Sequence, residues 1–417
     1  MIKREIKDKV ISSLGRKEIT IIIGARQVGK TTLLKEVIAG LKQQGKTVLY
    51  FNLDIEEDSR YFRSQQILLD KIRLEAGKGK TYVFIDEIQR KEDAGKFLKG
   101  IYDMELPYKF VVTGSGSLEL KEKIGESLAG RKYLIEMDPV GFREFVNYKT
   151  EYKYENRLVD LFSTETEKTE RWLNEYLSFG GYPAVVTADT VLRKHEIMNE
   201  IFVSYITKDI SFLLGVREPD KFVRLIQLLA TQSGKILNYS QLSQDTGMRL
   251  ETLKTYLWYA EQTFIINIVK PYFTNLKKEL TKSPTIYFND LGMLNFSRGN
   301  LAGTVRDGLL FQNFIYLVLK KRFTTGLSRI HFWRTKDKAE VDFVVHAGTG
   351  IVPVEVKFKS LKKAVVSRSF RSFITRYRPE TGVIVNLDRE ETLQINGTRV
   401  HFVPWWKLLE KGFAFLT

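Results

Sequence analysis

The chain has 417 residues, 43% of them hydrophobic, enough for two or three packed domains rather than one. Lys and Arg number 66 against 50 Asp and Glu, a formal charge of +16, which favours a polyanionic partner: nucleic acid or an acidic membrane surface. There is no cysteine, which excludes disulfides, thiolate catalysis and cysteine zinc sites.

The four His (His195, His331, His346, His401) show no ligand spacing. The N-terminus lacks an apolar signal core, and no apolar run approaches the ~20 residues that span a bilayer. A cytoplasmic location without membrane contact is the expectation. In chain order, residues 19–24, 47–53, 81–86, 108–115 and 132–138 read as short strands, with helical stretches such as 30–44 between them. Full apolar runs of this kind suit a parallel sheet buried on both faces. The fold class expected is therefore α/β, with a P-loop nucleotide-binding core over 1–148. Residues 150–170 are polar and read as a surface connection or an insertion. Helical spacing returns over 171–215, with "GGYP" (180–183) as a sharp turn, so 149–217 is a helical lid or connection.

Residues 218–300 fit a winged helix. Three helices are expected, over 219–234, 238–247 and 249–264. Two strands, 265–273 and 284–290, would form the wing around a basic stretch. The third helix presents Arg249, Glu251, Lys254 and Tyr256 on its polar face, and the wing offers Lys277, Lys278 and Lys282 to phosphates. Residues 301–417 form a mixed α/β domain, with a helix over 308–323 and strands at 330–334, 340–346, 351–357 and 381–387.

"GARQVGKTT" (24–32) fits G-x-x-x-x-G-K-[ST] between an apolar strand and a helix, the context the motif requires. Gly24 and Gly29 let backbone N–H groups curl around phosphate oxygens. The candidate ATP contacts are Gly24, Gln27, Val28, Gly29, Lys30, Thr31 and Thr32. Lys30 would reach the β- and γ-phosphates, and Thr31 would supply a hydroxyl to Mg²⁺. "YVFIDEIQ" (82–89) ends an apolar strand in two acids. Asp86 would hold Mg²⁺ and Glu87 would act as general base on water. In "FVVTGSGS" (110–117), Ser115 or Thr113 could sense the γ-phosphate. Arg131, after a helix over 118–131, could reach a neighbouring subunit's nucleotide.

These motifs, with "TGSGSLEL", "LAGRKYLIEMDPVGFREF", "GGYPAVV", "YITKDI", "FWRTKDKAEVDF" and "VPVEVK", resemble a family of prokaryotic AAA+-type ATPases that carry a C-terminal domain of unknown function. The resemblance covers nearly the whole chain. It implies an ATP-hydrolysing core, a lid containing "GGYP", a winged helix and a C-terminal domain like PD-(D/E)XK nucleases. It also implies a homo-oligomer such as a hexameric ring, with Arg131 acting in trans.

In the nuclease pattern, Asp342 and Glu355 would sit on adjacent strands and hold Mg²⁺, with Lys357 beside them. The family pattern places a Glu on the first helix, where this chain has Gln312, a weaker ligand for a hard cation. Cleavage and a retained DNA-binding shell are both open. The run 357–378 carries eight Lys or Arg and no acid. Its rings (Phe358, Phe370, Phe373, Tyr377) are interleaved as if to stack on nucleic acid beside phosphate contacts from Lys362, Lys363, Arg368 and Arg371. The run shows no clear amphipathic helix, so a peripheral membrane role is not expected. The leading expectation is an ATPase acting on duplex or branched DNA, four-way junctions for example. The alternatives are an ATP-gated, Mg²⁺-dependent nuclease and an ATP-dependent switch for a protein partner.

Overall fold

A computed structural model describes residues 1–76, 80–115, 128–206, 210, 218–273, 275, 279, 282–300, 307–323, 329–347, 350–410 and 413. The chain divides into two compact units. One comprises 1–140, 182–219 and 255–265; the other comprises 141–181, 220–254 and 266–417.

In the first unit, β1 (Ile19–Gly24), β2 (Thr47–Asn52), β3 (Thr81–Asp86), β4 (Tyr108–Ser115) and β5 (Lys132–Glu136) form one sheet in the order β2-β3-β4-β1-β5. Every pairing is parallel. β1 and β3 are buried at every residue, as strands covered on both faces must be. β2 and β5 are the sheet's edges and end one and two residues earlier than their apolar runs suggest, although Leu53 N–H still donates to Asp86 O and Met137 N–H to Ile23 O beyond them. A parallel sheet gathers all strand C-termini along one edge. Gly24, Asp86 and Ser115 therefore share that edge, and β4 lies between β1 and β3. Helix Lys30–Gln43 starts directly after Gly29.

The stretch 150–170 departs from the expected surface connection. Residues 158–164 and 166–179 are helices, and Leu158, Leu161 and Phe162 are buried. The apolar positions 158, 161 and 162 keep helical spacing inside a polar stretch. They belong to the second unit because an aromatic cluster holds them there. Phe142 packs edge-on against Tyr176, Phe314 and Trp405, and Phe162 leans on Trp405.

Helices Pro219–Thr231, Tyr239–Thr246 and Leu250–Gln262 precede β6 (Ile266–Val269) and β7 (Thr285–Phe288), which pair antiparallel. That is the expected order of three helices and a hairpin, with shorter strands. Asn238 caps the middle helix by accepting from the Gln241 N–H at 3.2 Å, and Gly247 ends it at φ +65°. Tyr256 is buried, so it is not on the polar face of the third helix; Lys254 is exposed. Lys277 and Lys278 lie outside the described residues.

The C-terminal part of the second unit is a mixed sheet of six strands: β8 (Arg329–Arg334), β9 (Glu340–Ala347), β10 (Gly350–Val356), β11 (Thr381–Asn386), β12 (Glu391–Ile395) and β13 (Thr398–Pro404). Their order is β12-β13-β11-β10-β9-β8. β10–β11 and β11–β13 are parallel and the other pairs antiparallel. Helix Gly308–Phe323 precedes the sheet, and helix Arg368–Tyr377 packs its apolar side into a core with Trp333, Ile384 and Phe402.

Among the described residues, no helix is long and apolar enough to cross a membrane.

Candidate functional site

The turn between β1 and its helix is shaped by backbone conformation. Gln27 sits at φ +59° and Gly29 at φ +97°, so successive peptide N–H groups can turn inward at a helix N-terminus, the geometry of an anion nest. Gly29 needs to be glycine for that conformation. Gly24 needs to be glycine for a different reason: a Cβ there would collide with the Met137 carbonyl oxygen. Lys30 is only 6% exposed. Its ammonium donates to the carbonyls of Gly24 at 2.9 Å and Ala25 at 2.7 Å. Val28 is buried, Thr31 half-buried and Thr32 exposed. Arg4 braces the turn from the N-terminal segment, donating to Val28 O at 2.8 Å and Asp138 O at 2.6 Å.

Asp86 is 1% exposed at the end of β3. Its Oδ2 accepts from Thr31 Oγ1 at 2.7 Å and from the Tyr50 hydroxyl at 3.1 Å, and its Oδ1 accepts from Thr113 Oγ1. Burial, then the Asp86 charge, pushes the Tyr50 phenol well above its ordinary range. A Thr hydroxyl facing a buried carboxylate offers two hard oxygens side by side, which fits a small divalent cation. Glu87 follows in a left-handed conformation, φ +57°, sparsely populated by residues with a side chain. Its Oε2 accepts from Gln89 Nε2.

Sequence reasoning missed Tyr50, Gln89 and Arg4, and left Thr113 as an alternative to Ser115. No local pattern marks Tyr50, because its meeting with Asp86 depends on the β2–β3 pairing that sets Asn52 opposite Asp86. Ser115 ends β4 opposite Gly24; its side chain, and residues 116–127 beyond it, lie outside the described residues.

Arg131 stands at the other edge of the sheet. Its carbonyl accepts from the Ile19 N–H at 2.9 Å, where β1 begins, and its Nε pairs with Asp103 at 2.7 Å. The six residues of β1 span about 20 Å, so Arg131 does not reach its own chain's phosphate loop.

In the second unit, β9 carries Asp342 and β10 carries Glu355. Asp342 accepts from Gln312 Nε2 at 3.0 Å and from the Val356 N–H at 2.7 Å. Burial pushes its carboxyl up to about 7, against the opposing pull of the Val356 hydrogen bond. Glu355 pairs with Lys357 at 2.5 Å and accepts from Ser367 Oγ at 2.9 Å. Ser367 in turn caps helix Arg368–Tyr377, accepting from the Phe370 N–H. All four carboxylate oxygens thus have a protein donor. Among the described residues, no group of three His, Cys, Asp or Glu is placed to hold a metal ion.

The basic run is reshaped by packing. Phe370 and Phe373 are 0% exposed, Phe358 stacks on Phe311 with centroids 4.4 Å apart, and the Tyr377 hydroxyl accepts from Trp333 Nε1 at 3.2 Å. These rings are core contacts rather than stacking platforms. The run does contain an amphipathic helix: positions 370, 373, 374 and 377 line one side of it. That side is already buried in the second unit's core, so it does not face a membrane. Lys362, Lys363, Arg368 and Arg371 are exposed.

Residues 16–146 match the model of an AAA domain. That match spans the N-terminal sheet and its phosphate loop. Residues 170–302 and 307–408 match the models of two domains of unknown function, DUF8612 and DUF4143. An uncharacterized protein of Haemophilus influenzae is 27% identical over 404 residues, covering 94% of each chain. An uncharacterized protein of Methanocaldococcus jannaschii is 26% identical over 427 residues, covering 98% of this chain and 90% of that one. Among solved structures, Cdc6p from Pyrobaculum aerophilum is 12% identical and covers 72% of this chain and 95% of its own, with a TM-score of 0.27. The replication initiator DnaA, bound to AMPPCP and single-stranded DNA, is 13% identical with a TM-score of 0.28, covering 63% of this chain and 90% of its own. Both structural likenesses are slight.

Proposed function

We propose that this chain is an ATP-hydrolysing AAA-type protein that works as a homo-oligomer and grips duplex or branched DNA through its C-terminal half. The observation that carries the hydrolytic part is the Thr31 hydroxyl 2.7 Å from the buried Asp86 carboxylate, with Glu87 the next residue along. The amides around Gln27 and Gly29 would hold phosphate oxygens, and Lys30, now on the Gly24 and Ala25 carbonyls, would supply positive charge to them. A Mg²⁺ held by Thr31 and Asp86 would neutralise phosphate charge. Glu87 accepts the proton of the attacking water. Arg131, remote from its own loop, serves the nucleotide of an adjacent copy, which is why a homo-oligomer is part of the reading.

DNA binding has the exposed Lys362, Lys363, Arg368 and Arg371 in support, with Lys254 and the wing lysines Lys277 and Lys278 as further phosphate contacts in a winged helix over 218–300. The ATP-gated nuclease is the less supported reading. Asp342 is bridged by Gln312 where a third acid is needed, and Glu355 is bound by Lys357 and Ser367.

The test is the steady-state ATPase rate with Mg²⁺, alone and with single-stranded, duplex, forked and four-way-junction DNA, with the same DNA run on a gel. Stimulation by one form without cleavage supports the proposal. No hydrolysis under any condition overturns it, and hydrolysis indifferent to every DNA points instead to a switch for a protein partner. Glu87→Gln should still bind ATP while hydrolysing it at least a hundredfold more slowly. Normal turnover in that variant would remove Glu87 as the base.

A further inference from the structure

Asp86 is held by more donors than contact with a cation requires. Thr31 reaches it from the phosphate loop, Tyr50 from β2 and Thr113 from β4. β2 and β4 are the strands that flank β3 on its two sides. Tyr50 and Thr113 therefore approach the carboxylate from opposite sides and grip opposite oxygens, Tyr50 on Oδ2 and Thr113 on Oδ1. Thr31 shares Oδ2 with Tyr50.

The Thr31 hydroxyl is the one donor of the three with a second task. When it turns to a cation, Oδ2 keeps only the Tyr50 hydrogen bond. An Asp carboxylate rotates over a broad range about its terminal torsion, so without a second tether its plane would no longer be set. Tyr50 is well placed to be that tether. It lies within a six-residue strand paired residue by residue with β3, Tyr50 opposite Phe84 and Asn52 opposite Asp86, so its height along the sheet is fixed. Asp58 and Glu87 also act electrostatically on its hydroxyl, yet the hydrogen bond goes to Asp86.

We propose that Tyr50 is a positioning residue which, together with Thr113, fixes the carboxylate plane of Asp86 for cation capture beside the phosphate loop. The proposal rests on the nucleotide-binding reading above. It goes beyond it in assigning a β2 side chain to the site. The bland alternative is that a part-buried phenol merely finds an acceptor, in which case losing the hydroxyl would leave cation capture unchanged.

The experiment is equilibrium binding of a fluorescent ATP analogue to the full chain, followed by anisotropy, first in EDTA and then across a Mg²⁺ titration. Wild type is compared with Tyr50→Phe, Thr113→Val and the double variant, with Tyr61→Phe as a control. Tyr61 packs against Phe51, the residue after Tyr50, and its hydroxyl accepts from Arg60 at 2.9 Å. Tyr50→Phe removes one oxygen and leaves the ring, so its thermal midpoint should stay near wild type. The expected result is a roughly tenfold rise in the Mg²⁺ concentration giving half the affinity gain, the weight of one hydrogen bond to a charged group. Thr113→Val should show a similar rise and the double variant a larger one. Tyr61→Phe should match wild type. A Tyr50→Phe titration that overlays wild type, while wild type shows a Mg²⁺ gain, overturns this proposal alone. Wild type that binds no nucleotide with or without Mg²⁺ overturns the nucleotide-binding reading and this proposal with it.

Discussion

Replacing Asp342 by Asn tests how the C-terminal acid pair is held. Burial raises the Asp342 carboxyl from the ordinary 3.8 to about 7. Between those values the folded chain binds more protons at this group than the unfolded chain does, so its contribution to stability falls as pH rises through the window. Each pH unit is worth about 1.4 kcal/mol, which sets an upper limit of roughly 4 kcal/mol across the window. Halving that for the water that reaches a part-buried side chain leaves about 2 kcal/mol. Asn stays neutral throughout and can still accept from the Val356 N–H. Its amide then faces the Gln312 amide, which turns its oxygen inward; any cost of that turn does not depend on pH. Urea unfolding at pH 5, 6, 7 and 8, followed by tryptophan fluorescence (Trp333 lies in the same core), gives the stability difference between variant and wild type. Titrations common to both proteins cancel in that difference. Only the part of the window above pH 5 falls in this range, about two pH units, so the difference should move in favour of the variant by about 1 kcal/mol from pH 5 to pH 8. A difference that stays flat over this range would falsify the account of Asp342. Millimolar Mg²⁺ should leave the pH dependence as it is, because Gln312 bridges Asp342. If Mg²⁺ abolished it, the acid pair would hold a cation and the nuclease reading would regain support.

Phe370→Ala should destabilise the second unit by about 3–5 kcal/mol, as for other fully buried rings, measured by the same urea titration. A loss below about 1 kcal/mol would mean that the ring is not core. Changing Lys362, Lys363, Arg368 and Arg371 together to Ala should leave folding intact and weaken DNA binding. It should also reduce the slope of log affinity against log salt by roughly 3 to 4 if each cation meets one phosphate. An unchanged slope removes this face from the DNA-binding proposal. Gly180→Ala should be among the most damaging small substitutions in the chain. Gly180 adopts φ +71° and a Cβ there would run into the Asp290 carboxylate, which accepts from the Gly181 N–H at 2.6 Å and the Met293 N–H at 2.8 Å. A thermal midpoint within a degree or two of wild type would show that the turn gives way easily.

Much of the first unit can be read from the chain directly. β1 and β3 are continuous apolar runs that end in Gly24 and in Asp86-Glu87, and a buried parallel strand needs nothing more to be recognised. Helix Gly308–Phe323 and the β9–β10 hairpin are equally local, set by side-chain periodicity over a few residues. The basic run shows where such reading stops. Its alternation of charge and ring suggests a stacking surface, yet the same spacing, 370, 373, 374 and 377, also describes a helix with one buried side. Only the sheet beneath it decides between them, by offering Trp333, Ile384 and Phe402 as partners. The aromatic residues of 142–176 likewise take their meaning from Phe314 and Trp405, more than 130 positions further along the chain.

The candidate nucleotide site divides in the same way. The sequence by itself determined the glycine-rich turn, the lysine and threonine after it and the two acids at a strand end, because short-range steric and charge rules govern each of them. Only the tertiary structure decided that Tyr50 and Thr113 hold Asp86, that Arg4 braces the loop, and that Gln312 bridges Asp342. Those contacts depend on which strands and helices come to lie side by side. Strand order in a sheet is set by long-range packing, which no local pattern of residues encodes.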